Sequence, residues 1–262
     1  LNGQFQRTLQ SEEGPLENPT YIVLSRLTAQ ERTMDVIANN LANGSTPGFK
    51  AAHMLFSDWL PPNHASALPG GEAELQFTQD KATWRDFTPG TLTHTGEPLD
   101  IAIGSSGFFT IKTPQGDRLT RAGRFVLQPD GTIGDDAGNA LLDVVGSPMI
   151  VPPGEARLTI AGDGTISGEQ GTIGKIGVVM PTDPNRLVAE GGHLMRSDSN
   201  TAPVTRPQLV QGAVEDSNVS PMIEMTRMIR LQRDFQMMTQ FTQSESDRQQ
   251  AAIDRLTQNP TA

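Results

Sequence analysis

Apolar positions change their period twice along this chain. From about Pro19 to Ala42 helix breakers are scarce, and Val23, Leu27, Met34, Ile37 and Leu41 fall at four- and three-residue steps once Gln30 is counted in the series. That spacing predicts a helix with a narrow a/d seam, because residues three and four apart share one helix face. Between about 90 and 205 the texture becomes short β-prone runs, at 108–111, 124–127, 157–160 and 175–180. Turn residues separate them: Thr-Pro-Gln-Gly-Asp from 113, Pro-Asp-Gly from 129 and Gly-Asp-Gly from 162. Asp-Gly between apolar runs suits a tight hairpin, since glycine accepts positive φ without a Cβ clash. These signals recur too closely for βαβ crossovers, which predicts an antiparallel all-β domain. From about Pro221 to Leu256 the helical period returns. Met228, Leu231, Phe235 and Met238 form a second seam, which fades through Thr242, Glu245 and Gln249 before Ala252 and Leu256 restore it.

The predicted fold class is therefore α+β, with N- and C-terminal helices flanking a central antiparallel β domain. The expected divisions are a polar leader at 1–16, the first helix and its terminating turn at 17–60, and an extended Pro-, Gly- and Thr-rich linker at 61–89. The β domain follows at 90–205, then a linker and the second helix at 206–262. Asp-Gly-Thr-Ile occurs at 130–133 and again at 163–166, which reads as shared hairpin chemistry and not a solenoid repeat. Each terminal helix offers only a narrow stripe, and an isolated amphipathic helix needs something to pack on. Periodicity alone favours the chain's own β domain, with Met222, Met225, Met228, Met237 and Met238 filling irregular gaps. The alternative is that these methionines adapt to neighbours in an assembly.

Composition narrows the chemistry. A formal charge of −10, with no clustered Lys or Arg, argues against a nucleic-acid partner and against an anionic membrane surface. There is no cysteine, hence neither a disulfide nor a thiolate metal site. No apolar run approaches the roughly 20 residues of a membrane span, and the N-terminus lacks the basic-then-apolar order of a cleavable secretory signal. His53, His64, His94 and His193 show no zinc-ligand spacing. Gly104-Ser105-Ser106-Gly107 is a turn and not a nucleophile elbow, and 135–139 reads as a solvated hairpin tip with the wrong offsets for a calcium loop. Asn43-Gly44-Ser45 and Asn218-Val219-Ser220 match a glycosylation triplet that arises easily by chance. A secreted carbohydrate-binding or hydrolytic β protein is the rival reading. Its candidate carboxylates, Asp130, Asp135 and Asp163, all sit in predicted hairpin turns, which recruit Asp routinely.

The end of the first helix is more telling. Ala38-Asn39-Asn40-Leu41-Ala42-Asn43-Gly44-Ser45-Thr46-Pro47-Gly48-Phe49-Lys50 places three asparagines, Pro-Gly and Phe-Lys where the apolar period stops. Short amides bond free backbone groups at a helix end and tolerate left-handed conformations. Gly44 can stop the helix, Pro47 blocks its resumption, Gly48 permits a reversal and Phe49 docks as an apolar anchor. The string also resembles the signature of bacterial flagellar basal-body rod and hook proteins, A-N-N-[apolar]-A-N-x-x-T-x-G-[FY]-K. It is met here at Asn39, Asn40, Asn43, Thr46, Gly48, Phe49 and Lys50. The resemblance continues at Pro98–Ile103 followed by Gly107-Phe108-Phe109, at Thr120-Arg121-Ala122-Gly123, and at Glu215-Asp216-Ser217-Asn218-Val219. It covers about residue 17 to the C-terminus. Strings at 93–100, 150–154, 161–167 and 214–228 look most like the proximal-rod branch; the distal-rod branch is the alternative.

The resemblance implies a structural axial subunit of the flagellar rod, not an enzyme, with no cofactor, metal or small-molecule substrate. Such a subunit leaves the cytoplasm through the flagellar type III export apparatus without a cleaved signal, and lies in the rod within the periplasm. Its partners would be other rod subunits, copies of itself and the export apparatus. Its terminal helices pack together in the assembly as an inner tube, which reverses the preference for an intramolecular core. Val23, Leu27, Met34, Ile37, Leu41, Met228, Leu231, Phe235 and Met238 then become the assembly positions. The family would begin near Glu17, so residues 1–16 are expected to be a disordered leader or a non-native extension.

Overall fold

A computed structural model describes residues 18–59, 77–155, 157–191 and 193–258. Helix α1 spans Asn18–Ala42 and helix α2 spans Pro221–Gln258, with short strands between them. The chain divides into two compact units. One draws on the described parts of Leu1–Asp35, Met54–Ala82 and Met228–Ala262, the other on Val36–His53 and Thr83–Arg227. The expected leader at 1–16 lies outside the described residues.

The first unit holds most of both helices. On α1, Val23 and Ala29 are buried, Leu27 and Met34 are half-buried and Leu24 is exposed. On the α2 segment of this unit, the least exposed positions are Met228, Leu231, Met238, Thr242 and Glu245, all only half-buried. They keep the predicted four- and three-residue spacing, so the seam is a real face of the helix. Phe235, on the same seam, is 40% exposed, and Met237, Phe241 and Ile253 elsewhere on the helix are more so. At about 1.5 Å per residue, α2 runs for roughly 57 Å. A helix of that length with no fully buried position among its described side chains after Glu224, at 225–255, lacks most of the packing that normally stabilises one.

The second unit is the β region, and the strand pairs between residues 92 and 215 are antiparallel. Its largest sheet centres on the hairpin of Phe108–Thr113 with Gly116–Thr120. Alternation along that first strand decides the packing: Phe109 and Ile111 enter the main core, whereas Phe108 packs with Leu119 and Met195. Phe109 meets Phe125 edge-on at 5.3 Å between ring centroids, and Phe108 meets Phe87 at 5.8 Å, the geometry that suits the aromatic quadrupole.

One hairpin loop is used four times, at 129–131, 136–138, 144–146 and 162–164. In each, the flanking residues join N–H to C=O at 2.8 to 2.9 Å, and the third loop residue is a glycine with φ from 83° to 92°. This is the three-residue loop whose last position must be left-handed. An Asp carboxylate braces every one of them. Asp130 and Asp163 accept from the N–H of Thr132 and Thr165, while Asp135 and Asp143 each accept two loop amides. The repeated Asp-Gly-Thr-Ile is thus the same turn twice, and it delivers Ile133 and Ile166 fully buried into the core.

Three features differ from the sequence expectations. Strands Ala52–Trp59 and Phe77–Arg85 pair with each other, so neither the helix-and-turn segment nor the linker is free of sheet. The second of these, Phe-Thr-Gln-Asp-Lys-Ala-Thr-Trp-Arg, is mostly polar and gives no hydropathy signal. The β region also runs beyond 205: Leu209–Gln211 pairs with Ile101–Ile103, and Ala213–Glu215 pairs with Leu92–His94. Their partners lie more than 100 residues away, where no local turn signal points to them. Finally, Asp135 is buried, not solvated, because its carboxylate faces inward to the loop amides and to the Asn139 side chain.

Burial lowers the His193 pKa, only partly opposed by Asp135 and Asp136. The neutral ring is therefore favoured in the fold, and this contribution is present above the unfolded value of about 6.5 and lost as pH falls below it. In urea melts at pH 7.5 and 5.5, His193→Gln should narrow the drop in midpoint seen for the native chain; equal drops would refute the assignment.

Candidate functional site at the meeting of the motifs

Three signature strings converge within the β unit. The segment after α1 is built by its own polar side chains: Asn43 Nδ2 donates to the Asn39 carbonyl at 2.9 Å, and Thr46 Oγ1 donates to Asn43 Oδ1. Gly48 then turns the chain with φ of 70°. A Cβ there would lie 2.3 Å from the backbone of Arg121 and Ala122, so glycine is required twice over. Asn40, buried near the end of α1, clasps Ala52 with both amide atoms, donating to its carbonyl at 2.8 Å and accepting from its N–H at 2.9 Å. Asn218, just ahead of α2, does the same for a wider set. It accepts from Ala51 N–H at 2.8 Å and donates to the Asp86 and Thr88 carbonyls. Two asparagines thus hold adjacent residues of the segment leaving α1. The side-chain nitrogens of Asn43 and Asn218, the asparagines of the two glycosylation triplets, are both engaged in these hydrogen bonds.

Phe49 is buried with Ala51 and Val219, and the Arg85 guanidinium lies 5.4 Å from its ring centroid. Beside it is a buried ionic cluster. Glu215, with no exposed surface, accepts from Lys50 Nζ at 2.5 Å, from Gly90 N–H at 2.9 Å and from Arg121 Nε at 2.7 Å. The Glu215 carbonyl also receives the Gly48 N–H at 2.7 Å. Lys50 spends a second donor on the Thr88 carbonyl, and Arg121 reaches the carbonyls of Ile103, Ser105 and Gly107. Burial lowers the Lys50 pKa, and the hydrogen bond and charge of Glu215 oppose that shift. The desolvation cost of three buried charges is offset only because nearly every donor finds an oxygen.

This arrangement offers no open site: its charges are buried and committed to one another. It does what a rivet does, joining the end of α1, the start of α2 and the sheet at one point. Of the signature residues, Asn40, Gly48, Phe49 and Lys50 are buried in it, Asn43 and Thr46 shape the turn, and Asn39 contributes through its carbonyl. The helix positions are not brought into it, although Ile37 is buried and Leu41 half-buried at the approach. Sequence reading did not pair Lys50, Arg121 and Glu215. The available signal was a charged residue embedded in small and apolar neighbours in each string: Phe-Lys-Ala-Ala, Thr-Arg-Ala-Gly and Ala-Val-Glu.

Elsewhere the candidate chemistry dissolves into structure. Asp130, Asp135 and Asp163 brace turns, as described above. His53 packs tilted against Trp84 with ring centroids 5.0 Å apart, His94 is exposed on a strand, and His64 lies outside the described residues. Among the described residues no three His, Asp or Glu side chains converge to hold a metal.

The architecture defines a structural subunit, in which the end of α1 and the start of α2 are riveted to a β body. Comparison with known proteins gives the particular family. The family model "Flagella basal body rod protein" matches residues 21–50, that of the flagellar hook protein FlgE/F/G D1 domain matches 102–168, and the flagellar basal body rod FlgEFG C-terminal model matches 210–255. The chain is 35% identical to flagellar basal-body rod protein FlgF of Caulobacter vibrioides, over 92% of this chain and 98% of that one. It is 32% identical to FlgF of Mesorhizobium japonicum, over 84% and 90%, and 30% identical to FlgG of Bacillus subtilis, over 82% and 90%. This chain belongs to the flagellar basal-body rod protein family, is most like its FlgF members, and is a structural subunit of the rod.

Glu215→Gln keeps the shape but leaves Lys50 and Arg121 without a counter-charge. It should lower stability in urea melts by about 3–5 kcal/mol. Asp198→Asn, which breaks an exposed and solvent-screened pair with Arg196, should cost far less. Equal losses would mean that the cluster does not hold the unit together.

Proposed function

We propose that the chain is a proximal-rod subunit that polymerises through its terminal helices into the shaft transmitting flagellar torque. The observation that carries this is α2, whose described seam side chains are at best half-buried between Met228 and Ala252 while its base is fixed to the β region through Asn218 and Glu215. Such a helix is a connector held ready for neighbours. A heterologous contact that does not close a ring generates a helical tube, the form a rod requires. In this reading Leu27, Met34 and Leu41 on α1, with Met228, Leu231, Phe235 and Met238 on α2, are completed by adjoining subunits, while Val23 and Ile37 are already buried within the chain. The riveted junction passes twist between the helical tube and the β body. The 35% identity to FlgF of Caulobacter vibrioides, against 30% to FlgG of Bacillus subtilis, supports the proximal placement over the distal one.

The same reading makes the chain a non-enzyme that binds neither nucleic acid nor a small-molecule substrate. It leaves the cytoplasm by the flagellar export apparatus without signal cleavage, and sits in the basal body within the periplasm.

Deleting the gene in its native host should abolish complete rods and motility, and a copy beginning at Glu17 with an added start codon should restore both. Electron microscopy of isolated basal bodies decides the matter; complete rods in the deletion strain would overturn the reading. Leu27→Asp or Phe235→Asp should leave the β region folded, as judged by protease resistance, and prevent incorporation. Either variant found in rods at native levels would remove that residue from the assembly face.

A further inference from the structure

We propose that residues 208–219 are a strap without which the β region does not fold, so that a copy lacking α2 because its chain is incomplete has no folded body to offer a rod. The consequence for assembly rests on the reading of the chain as a rod subunit; the strap itself is a property of the fold. The starting observation is how many separate segments this one stretch ties. The Gln208 carbonyl accepts from Gly104 N–H at 2.7 Å, Leu209 N–H donates to the Gly162 carbonyl at 2.9 Å, and Gly212 N–H donates to that of Asp100 at 2.7 Å. The Gly212 carbonyl takes the N–H groups of Thr95 and Gly96, and Asp216 N–H reaches the Thr91 carbonyl. Glu215 and Asn218 hold Gly48, Lys50 and Ala51. One short run of chain therefore joins the segments at 48–51, 91–104 and 162.

Side chains add further ties. Gln211 accepts from Ile160 N–H at 3.0 Å and donates to the carbonyls of Pro98 and Leu158 at 2.8 and 2.9 Å, so a single amide joins two more segments to the strap. Leu209 lies in the main core and Val219 beside Phe49, while Ala213, Val214 and Glu215 are all buried. The strands Leu92–His94 and Ile101–Ile103 each belong to a two-stranded sheet whose other member lies in the strap.

Without the strap several supports fail together. Lys50 and Arg121 lose the carboxylate on which both end, and a buried charge deprived of its partner is strongly destabilising. Ile160, itself buried, is left with an unpaired N–H, and the fully buried run Ile101–Ile103 loses the strand it pairs with; stranded backbone groups of this kind are costly. A domain's stability is a small difference between large opposing contributions, so the hairpins ahead of residue 208 hold a core pattern without a stable fold. The strap pairs with residues more than 100 positions earlier, and such contacts form only after their loop-closure entropy has been met. A chain synthesised from its N-terminus lacks these contacts until the strap has been made, and α2 follows directly at Pro221.

Thr205 and Arg206 are exposed and outside any strand, so a recognition sequence for a site-specific protease inserted between them lets the folded full chain be cut just ahead of the strap with both pieces kept. Before cutting, hydrogen-exchange protection of the core hairpin at 108–120 should not depend on protein concentration. After cutting, that protection should fall on dilution and return when the separated C-terminal piece is added in excess, because core unfolding and strap release are then one bimolecular event. A hairpin that stays protected at every dilution of the cut chain would overturn the strap. Gln211→Ala in the cut chain should raise the concentration needed for half-protection by about tenfold; no change would overturn its place in the strap. In the native host, Gln211→Ala with Glu215→Lys in the uncut chain, with α2 untouched, should reduce the chain recovered in basal bodies by about tenfold or more. Undiminished recovery would overturn the consequence for assembly and leave the dilution test to decide the strap. Complete rods in the gene-deletion strain would instead overturn the rod reading itself.

Discussion

Glu215 has no exposed surface, and two cations from distant parts of the chain, Lys50 and Arg121, end on its carboxylate. Everything around this cluster is constrained by the need to satisfy it. Gly90 approaches so closely that a Cβ would stand 1.9 Å from the Asp216 carbonyl oxygen, and Gly48 has no room for a side chain beside Arg121. Buried charges gain little net stability over an apolar core of the same shape, but they tolerate no displacement, since a carboxylate moved away from its partners is left desolvated and unpaired. The geometry where the end of α1 and the start of α2 meet the sheet is therefore fixed by electrostatics and lined by Phe49, Ala51 and Val219. A junction of this kind suits a part that must transmit twist without yielding.

The acidic balance of the chain has a structural use. Asp130, Asp135, Asp143 and Asp163 each brace a three-residue loop by accepting backbone amides, and Asp86 accepts both the N–H and the hydroxyl of Thr88, which holds its pKa below the usual carboxylate range. Short strands joined by such turns build a sheet in which many residues are near a loop. Stability then depends on loops that are internally satisfied as much as on the core. The remaining negative charge keeps a chain with exposed apolar stripes from associating indiscriminately.

The two units embody opposite requirements. The β unit buries a continuous core of Ile, Leu, Phe and Met and is complete in itself. The helical unit leaves Phe235, Met237 and Phe241 in water, a cost that only further association relieves. Methionine suits such positions because its flexible thioether packs against neighbours that are not identical, as happens where one rod subunit meets several others.

Both helices were legible in the sequence, Asn18–Ala42 and Pro221–Gln258, because a 3.6-residue apolar period is local and Pro221 marks its own start. The hairpins at 129–131 and 162–164 were legible for the same reason: an Asp-Gly turn fixes the pairing of the residues beside it. The strands Leu209–Gln211 and Ala213–Glu215 were not, since they pair with residues more than 100 positions earlier and carry no turn between them. Nor was Phe77–Arg85, whose polar sequence has no hydropathy contrast. The signature string announced a helix-ending turn and a family, and its residue types follow from that turn. That Lys50 meets Arg121 and Glu215, and that Asn40 and Asn218 clasp neighbouring residues of one segment, was decided by the tertiary fold alone. Ion pairs and amide clasps depend on distance in space, and sequence encodes that distance only where the partners are close along the chain.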